Sequence, residues 1–160
     1  SRAGNEEELA AILAHEIAHV NHRDGIQAIQ QSRWVEVVSM LGGEAVKGKE
    51  GINKLTLLFE GSVNDVVRTL IVNGYSQDQE RAADASALNF LNRAGYDPIG
   101  LADYLERLSR EQGAGNRGGF FSTHPGMSER LGLVRSAIAS NGWKRIDHRI
   151  RDRRFGQYMK

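Results

Sequence analysis

The 160-residue chain reads as a mainly α-helical domain. Three observations predict this. Apolar residues recur at three- and four-residue spacings through most of the chain. Helix-start and helix-stop residues fall between those segments. Alternating, β-branched stretches of the strand kind are sparse. A first helix is expected over 5–23. Glu6, Glu7 and Glu8 suit its positive N-terminal end. Leu9, Ile12, Leu13, Ile17 and Val20 give it an apolar side that should be buried, and Gly25 is its expected stop. A second helix is expected over 26–41, around Ile26, Ile29, Val37, Val38 and Leu41. Gly42 to Gly51 contains four glycines and reads as a connection. A third helix is expected over 52–72, with Gly61-Ser62 as a kink point. These two segments are strongly apolar and read as core, with a partner or membrane-surface face as the alternative. Ser76 with Gln79 is a capping box that opens a helix running to about Ala94, and Gly95 follows it. Asp97-Pro98 opens the next, with Asp as N-cap and Pro at the first position. Its buried stripe is Leu101, Tyr104, Leu105 and Leu108. Residues 113–119 read as a loop and 120–126 as irregular and apolar. A last helix is expected over 127–140, with Leu131, Val134 and Ile138 inward and Asn141-Gly142 ending it. Residues 1–142 are expected to form one domain, followed by a basic tail over 143–160.

Composition narrows the chemistry. The chain is 40% hydrophobic and 26% charged, as globular proteins are. No apolar run approaches the roughly 18 residues that would span a bilayer. There is no cysteine, which excludes a thiolate metal site and a thiol nucleophile. Residues 143–160 carry seven basic and two acidic side chains, so the net charge of +1 hides a basic tail on an acidic body. That tail reads as solvated, or as an edge packed on an acidic partner surface; no nucleic-acid-binding module accompanies it. The chain opens at Ser1 with neither methionine nor a signal-like segment and enters its first helix at once. That start reads as truncated or processed, with any targeting signal upstream.

The most informative stretch is Leu9 to Gly25, LAAILAHEIAHVNHRDG, which contains His15-Glu16-Ile17-Ala18-His19. Histidines four apart share one helix face and can bind one ion together. Glu16 lies about 100° further round, beside the ion, where it suits a base acting on a metal-bound water. Buried histidines and a carboxylate need compensation, and zinc supplies it. The competing reading is a chance pentapeptide with satisfied core histidines. A catalytic zinc needs a third protein ligand. A third histidine at the spacing HExxHxxGxxH is absent, because His22 and Gly25 occupy its glycine and histidine positions. The best candidate is Glu80, on the helix that Ser76 opens, with Asp84 one turn on. Ala82, Ala83, Ala85 and Ala87 keep that helix slim for close approach. Asp84 would then accept a hydrogen bond from His15 and fix its tautomer. Without the HExxH, Glu80 would read as a surface ion pair and Asp84 as solvated. His22 lies near the ligand face but reads as a histidine favoured by the helix C-terminus.

Three blocks, HEIAHVNHRDG, YSQDQERAAD and STHPGMSER, stand in order across about residues 6–135. Together they resemble the gluzincin zinc metallopeptidases of the HtpX, CAAX prenyl endopeptidase and BepA type. The resemblance implies a helical metalloprotease domain with one zinc ion per chain, held by His15, His19 and Glu80. It implies Glu16 as base and Asp84 behind a ligand. It also singles out His124-Pro125 and Arg130, either of which would stabilise the oxyanion. In BepA-type members the matching histidine can cap the zinc, so His124 is equally expected as a fourth, inhibitory ligand; a loop histidine bonded to backbone is the plain alternative. Asp24 stands where many members have a histidine, which leaves the role of that corner open. The implied activity is endopeptidase cleavage of polypeptides, with unfolded or misassembled envelope proteins as substrates and envelope assembly factors as partners. The lack of spanning segments points to the periplasmic branch. Such enzymes usually bind peptides along a sheet edge, and the small sheet this requires is expected upstream of Ser1. The rival expectations are a non-catalytic zinc-containing chaperone, which would have no use for Glu16, and a helical adaptor whose HExxH is accidental.

Overall fold

The computed structural model describes residues 3–28, 30, 74–113, 124 and 126–158. It contains helices α1 (Glu6–His22), α2 (Gln77–Ala94), α3 (Ile99–Gly113), α4 (Met127–Ser140) and α5 (Arg149–Tyr158). No strand occurs among the described residues, and none of their helices is long and apolar enough to cross a membrane. Most of the helix expected over 26–41, all of that over 52–72 and the two glycine-rich connections lie outside the described residues.

Asn5 caps α1 by accepting from the Glu8 amide at 2.8 Å. The helix ends one turn of chain before the glycine that was expected to stop it. Arg23 takes the left-handed conformation (φ 59°) and its N–H reaches the His19 and Val20 carbonyls. Helical backbone then resumes over 24–28. A non-glycine residue pays steric strain there, and the tight turn brings Asp24 back onto His19 at 2.7 Å.

The buried face of α1 also differs from the expected one. Ala11, Ala14, Ala18, His15 and His19 are inside, whereas Leu13, Ile17 and Val20 are 54%, 57% and 78% exposed. Leu13 and Ile17 border, with Phe90, an apolar groove of about 270 Å³. The reason is α2, the most extensive partner of α1. Its Ala83 and Ala87 are fully buried, so the two helices meet on small side chains and polar groups, and Ala82 and Ala85 face outward.

Both halves of the Ser76–Gln79 capping box form. Gly95, with φ 75°, closes α2. Asp97 then organises the corner before α3. Its Oδ1 accepts from the Ile99 amide and its Oδ2 from the Ile146 amide, while its own amide donates to Glu7. Leu101, Leu105 and Leu108 of α3 pack with Leu88, Leu91, Met127, Val134 and Ile138 into one core. Gly100 lies directly on the α1 backbone at Glu7.

The C-terminal segment carries helix α5, which has no buried residue and is tied to α1 by ion pairs. Glu6, Glu7 and Glu8 are all buried, and each has its own arginine. Arg154 Nε donates to Glu6 at 2.9 Å, Arg151 to Glu7 at 2.6 Å and Arg107 to Glu8 at 2.7 Å. The acidic surface that α5 meets is therefore the first turn of α1 in the same chain.

Candidate metal centre

Two helices and one short segment converge. From α1, His15 and His19 turn their Nε2 atoms to within 3.0 Å of each other. From the first turn of α2, Glu80 Oε1 lies 3.2 Å from His19 Nε2, and Oε2 lies 3.4 Å from His15 Nε2. His124, just before α4, places Nδ1 at 2.8 Å from Glu80 Oε1 and 3.4 Å from His15 Nε2. All four side chains are buried, and their donor atoms lie within 4.8 Å of one another.

The outer edges of the two α1 imidazoles are held by carboxylates. His15 Nδ1 lies 2.9 Å from Asp84 Oδ1, and His19 Nδ1 lies 2.7 Å from Asp24 Oδ2. Each Nδ1 is thereby assigned as the N–H donor, so both Nε2 lone pairs point into the same space. Two lone pairs at that distance repel unless a cation or a proton lies between them. A tetrahedral zinc with ligands at about 2.0–2.1 Å would set its donors about 3.3 Å apart. The donor set of imidazoles and one carboxylate suits zinc, and the residues fit the ion.

The charges support the same reading. Burial pushes the Glu80 carboxyl up, but hydrogen bonds from His124, His15 and His19 and the Arg130 cation hold it far below the usual carboxylate range. Burial opposes charge on His15, yet Asp84 and Glu80 raise it to about 9. Burial also raises Asp84, and Arg130 and His15 outweigh it and hold that carboxyl low. The pocket is thus built around anions and attracts positive charge.

Arg130 is buried, with Nε and Nη2 donating to Asp84 at 2.7 and 2.8 Å and Nη1 paired with Glu80. The guanidinium pairs with two α2 carboxylates, because a buried cation requires full pairing. Glu16, with its side chain 44% exposed, places Oε1 3.6 Å from His124 Nε2. His124 therefore stands between the donor cluster and Glu16. His22 is outside the cluster, with Nε2 3.0 Å from Ser86 Oγ.

Two contributors escaped sequence reasoning. Asp24 was noted only as a departure from a family pattern; its position five residues beyond His19 was the available signal. Tyr75 stacks flat on His19, with ring centroids 3.9 Å apart and planes at 10°. It precedes the capping serine and belongs to no periodic pattern.

The model of peptidase family M48 matches residues 1–138. The beta-barrel assembly-enhancing protease of Yersinia pestis is 28% identical over 111 residues, which is 66% of this chain and 22% of that protein. Metalloprotease LoiP of Escherichia coli (strain K12) is 26% identical over 142 residues, 87% of this chain and 52% of LoiP. A protease HtpX homolog of Methylibium petroleiphilum is 26% identical over 166 residues, 86% of this chain and 57% of that homolog. The chain thus spans between about a fifth and just over half of these curated relatives. No solved structure matches.

Proposed function

The chain belongs to peptidase family M48, and on that premise we propose that it is the catalytic part of a zinc-dependent endopeptidase. The observation that carries this reading is the convergence of four buried donors with Glu16 beside them. His15, His19 and Glu80 would hold one zinc ion per chain, which would supply Lewis-acid chemistry to a water and to the scissile carbonyl. Glu16, half-exposed at the rim, would take the water's proton and return it to the leaving amine. Asp84 orients His15. Arg130 positions Glu80 and Asp84 and does not meet the substrate. His124, against Glu80 and His15, would be a further donor to that ion in a latent state; turned aside, its imidazole would steady the oxyanion. Residues 1–142 make the catalytic domain, with 143–160 tied to it. Substrates are unfolded or misassembled envelope proteins, in the periplasm and alongside envelope assembly factors. The name of the Yersinia pestis relative, a beta-barrel assembly-enhancing protease, supports this class.

One observation favours a second reading. Four protein donors around one point also describe a closed structural zinc site, as in a non-catalytic chaperone. Metal analysis together with casein cleavage separates the two. The protease reading expects stoichiometric zinc, loss of most of it in Glu80→Ala, and zinc-bound but nearly inactive Glu16→Gln. It also expects His124→Ala to keep its zinc and to change proteolysis, upward if capping dominates and downward if the oxyanion role does. A structural site expects no cleavage by any variant and loss of zinc in His124→Ala. Proteolysis unchanged in Glu16→Gln would remove the mechanism.

A further inference from the structure

His15 and His19 are supported differently. Asp84, behind His15, is shared with the Arg130 guanidinium, which takes both of its oxygens. Asp24, behind His19, is buried, and among the described residues its carboxylate faces His19 and His22. Its Oδ2 lies 2.7 Å from His19 Nδ1 and 3.7 Å from His22 Nδ1, and no arginine or lysine pairs with it among the described residues. The left-handed turn at Arg23 aims it back at the helix it follows. Its backbone carbonyl accepts from Gln79 Nε2 at 3.3 Å, which ties it to the residue beside Glu80.

Tyr75 acts on the same ring from another direction. The Asp24 hydrogen bond lies along the edge of the imidazole and resists rotation in its plane. The Tyr75 stack lies on the face and resists tilt. The Tyr75 ring also meets His124 at 5.5 Å, so one aromatic face borders two of the four donors.

We infer that Asp24 and Tyr75 are positioning residues for His19, fixing its imidazole on two axes and supplying a carboxylate that strengthens it as a metal ligand. The inference rests on the zinc reading above. A carboxylate behind a ligand imidazole fixes its tautomer and raises its basicity, and its loss typically weakens metal binding 10- to 100-fold. The Asp24 carboxylate lies nearer to His19 Nδ1 than to His22 Nδ1, so its charge bears chiefly on His19.

The test measures zinc affinity of the full chain by competition with a chelator, and the visible absorption band of the cobalt(II)-loaded protein. Melting of chelator-treated protein serves as the fold check. Asp24→Ala should bind zinc about 10- to 100-fold more weakly and shift the cobalt band. Asp24→Asn keeps an acceptor without the charge and should fall between. Tyr75→Phe keeps the stack and should match wild type, whereas Tyr75→Ala should bind more weakly. Asp103→Ala, which removes an exposed partner of Arg145, should change neither readout. If Asp24→Ala does not fold, Asp24→Asn and Tyr75→Ala carry the test. Wild-type affinity and an unmoved cobalt band in those variants overturn the inference and leave the zinc reading standing. A wild-type chain that binds no zinc overturns both.

Discussion

Replacing Gly100 by alanine should pry the metal-bearing helix from its support. A Cβ added at Gly100 would lie 2.9 Å from the Glu7 carbonyl oxygen, 3.0 Å from its carbon and 3.0 Å from the Glu7 Cβ. Two of the three obstacles are backbone, so no flexible side-chain end can move aside. α1 and α3 must part by about half an ångström to restore ordinary carbon contacts. Overpacking of this kind costs about 1–3 kcal/mol, and each kcal/mol lowers Tm by about 2–4 °C in a chain of this size. Gly100→Ala should therefore melt about 2–12 °C below wild type. The same change in the middle of α4 supplies the control. Nothing lies within 4 Å of a Cβ at Gly132. There alanine gains the usual helix advantage of about 0.5–1 kcal/mol, worth about 1–4 °C upward. Thermal melts followed by circular dichroism, with urea titrations alongside, measure both. If Gly100→Ala melts at or above wild type, the close packing of α3 on α1 at Glu7 is wrong.

Three further outcomes follow from the ion pairs. Arg130→Ala leaves Glu80 and Asp84 buried without their cation and should cost about 3–5 kcal/mol in a urea titration of the metal-free protein; a loss below about 1 kcal/mol would contradict the pairing. Arg151→Ala, whose partner Glu7 is buried, should cost about 1.5–3 kcal/mol, whereas Arg154→Ala, with its side chain 58% exposed, should cost less; the reverse order would refute the account of α5. In chelator-treated protein, His15 is raised to about 9, so its contribution is full below its ordinary value and should be lost as pH rises through about 9. Asp84 is lowered, so its contribution should be lost as pH falls through and below the usual carboxylate range. Excess zinc should abolish the alkaline loss, because metal binding favours deprotonated ligands, and melting temperature against pH with and without zinc reads the difference.

Local rules made much of the fold legible. Ser76 and Gln79, Gly95 and Asp97 carry their signals within a few residues, and the helices they bound follow the expected positions closely. The inward face of α1 was misread because large apolar side chains dominate a periodicity reading, whereas the packing selected alanines against Ala83 and Ala87. Some pairings between distant residues left no local pattern. Nothing local joins Arg130 to Asp84, or Tyr75 to His19. The glutamates at the start of α1 read as partners of the helix dipole, yet burial demanded cations that only the folded chain could bring to them.

Those glutamates have a consequence for the order in which the molecule becomes whole. Their arginines lie 99, 144 and 148 residues further along the chain. α1 precedes α5 along the sequence, so its leading turn waits for Arg151 and Arg154 before Glu6 and Glu7 gain these partners. Such distant closures come late, because the entropy of a long loop must be spent before the contact rewards it. A chain clipped before Arg149 would keep the His and Glu donors on a helix whose first turn holds only the Glu8–Arg107 pair. The seating of α1 is thus shared with residues far along the sequence.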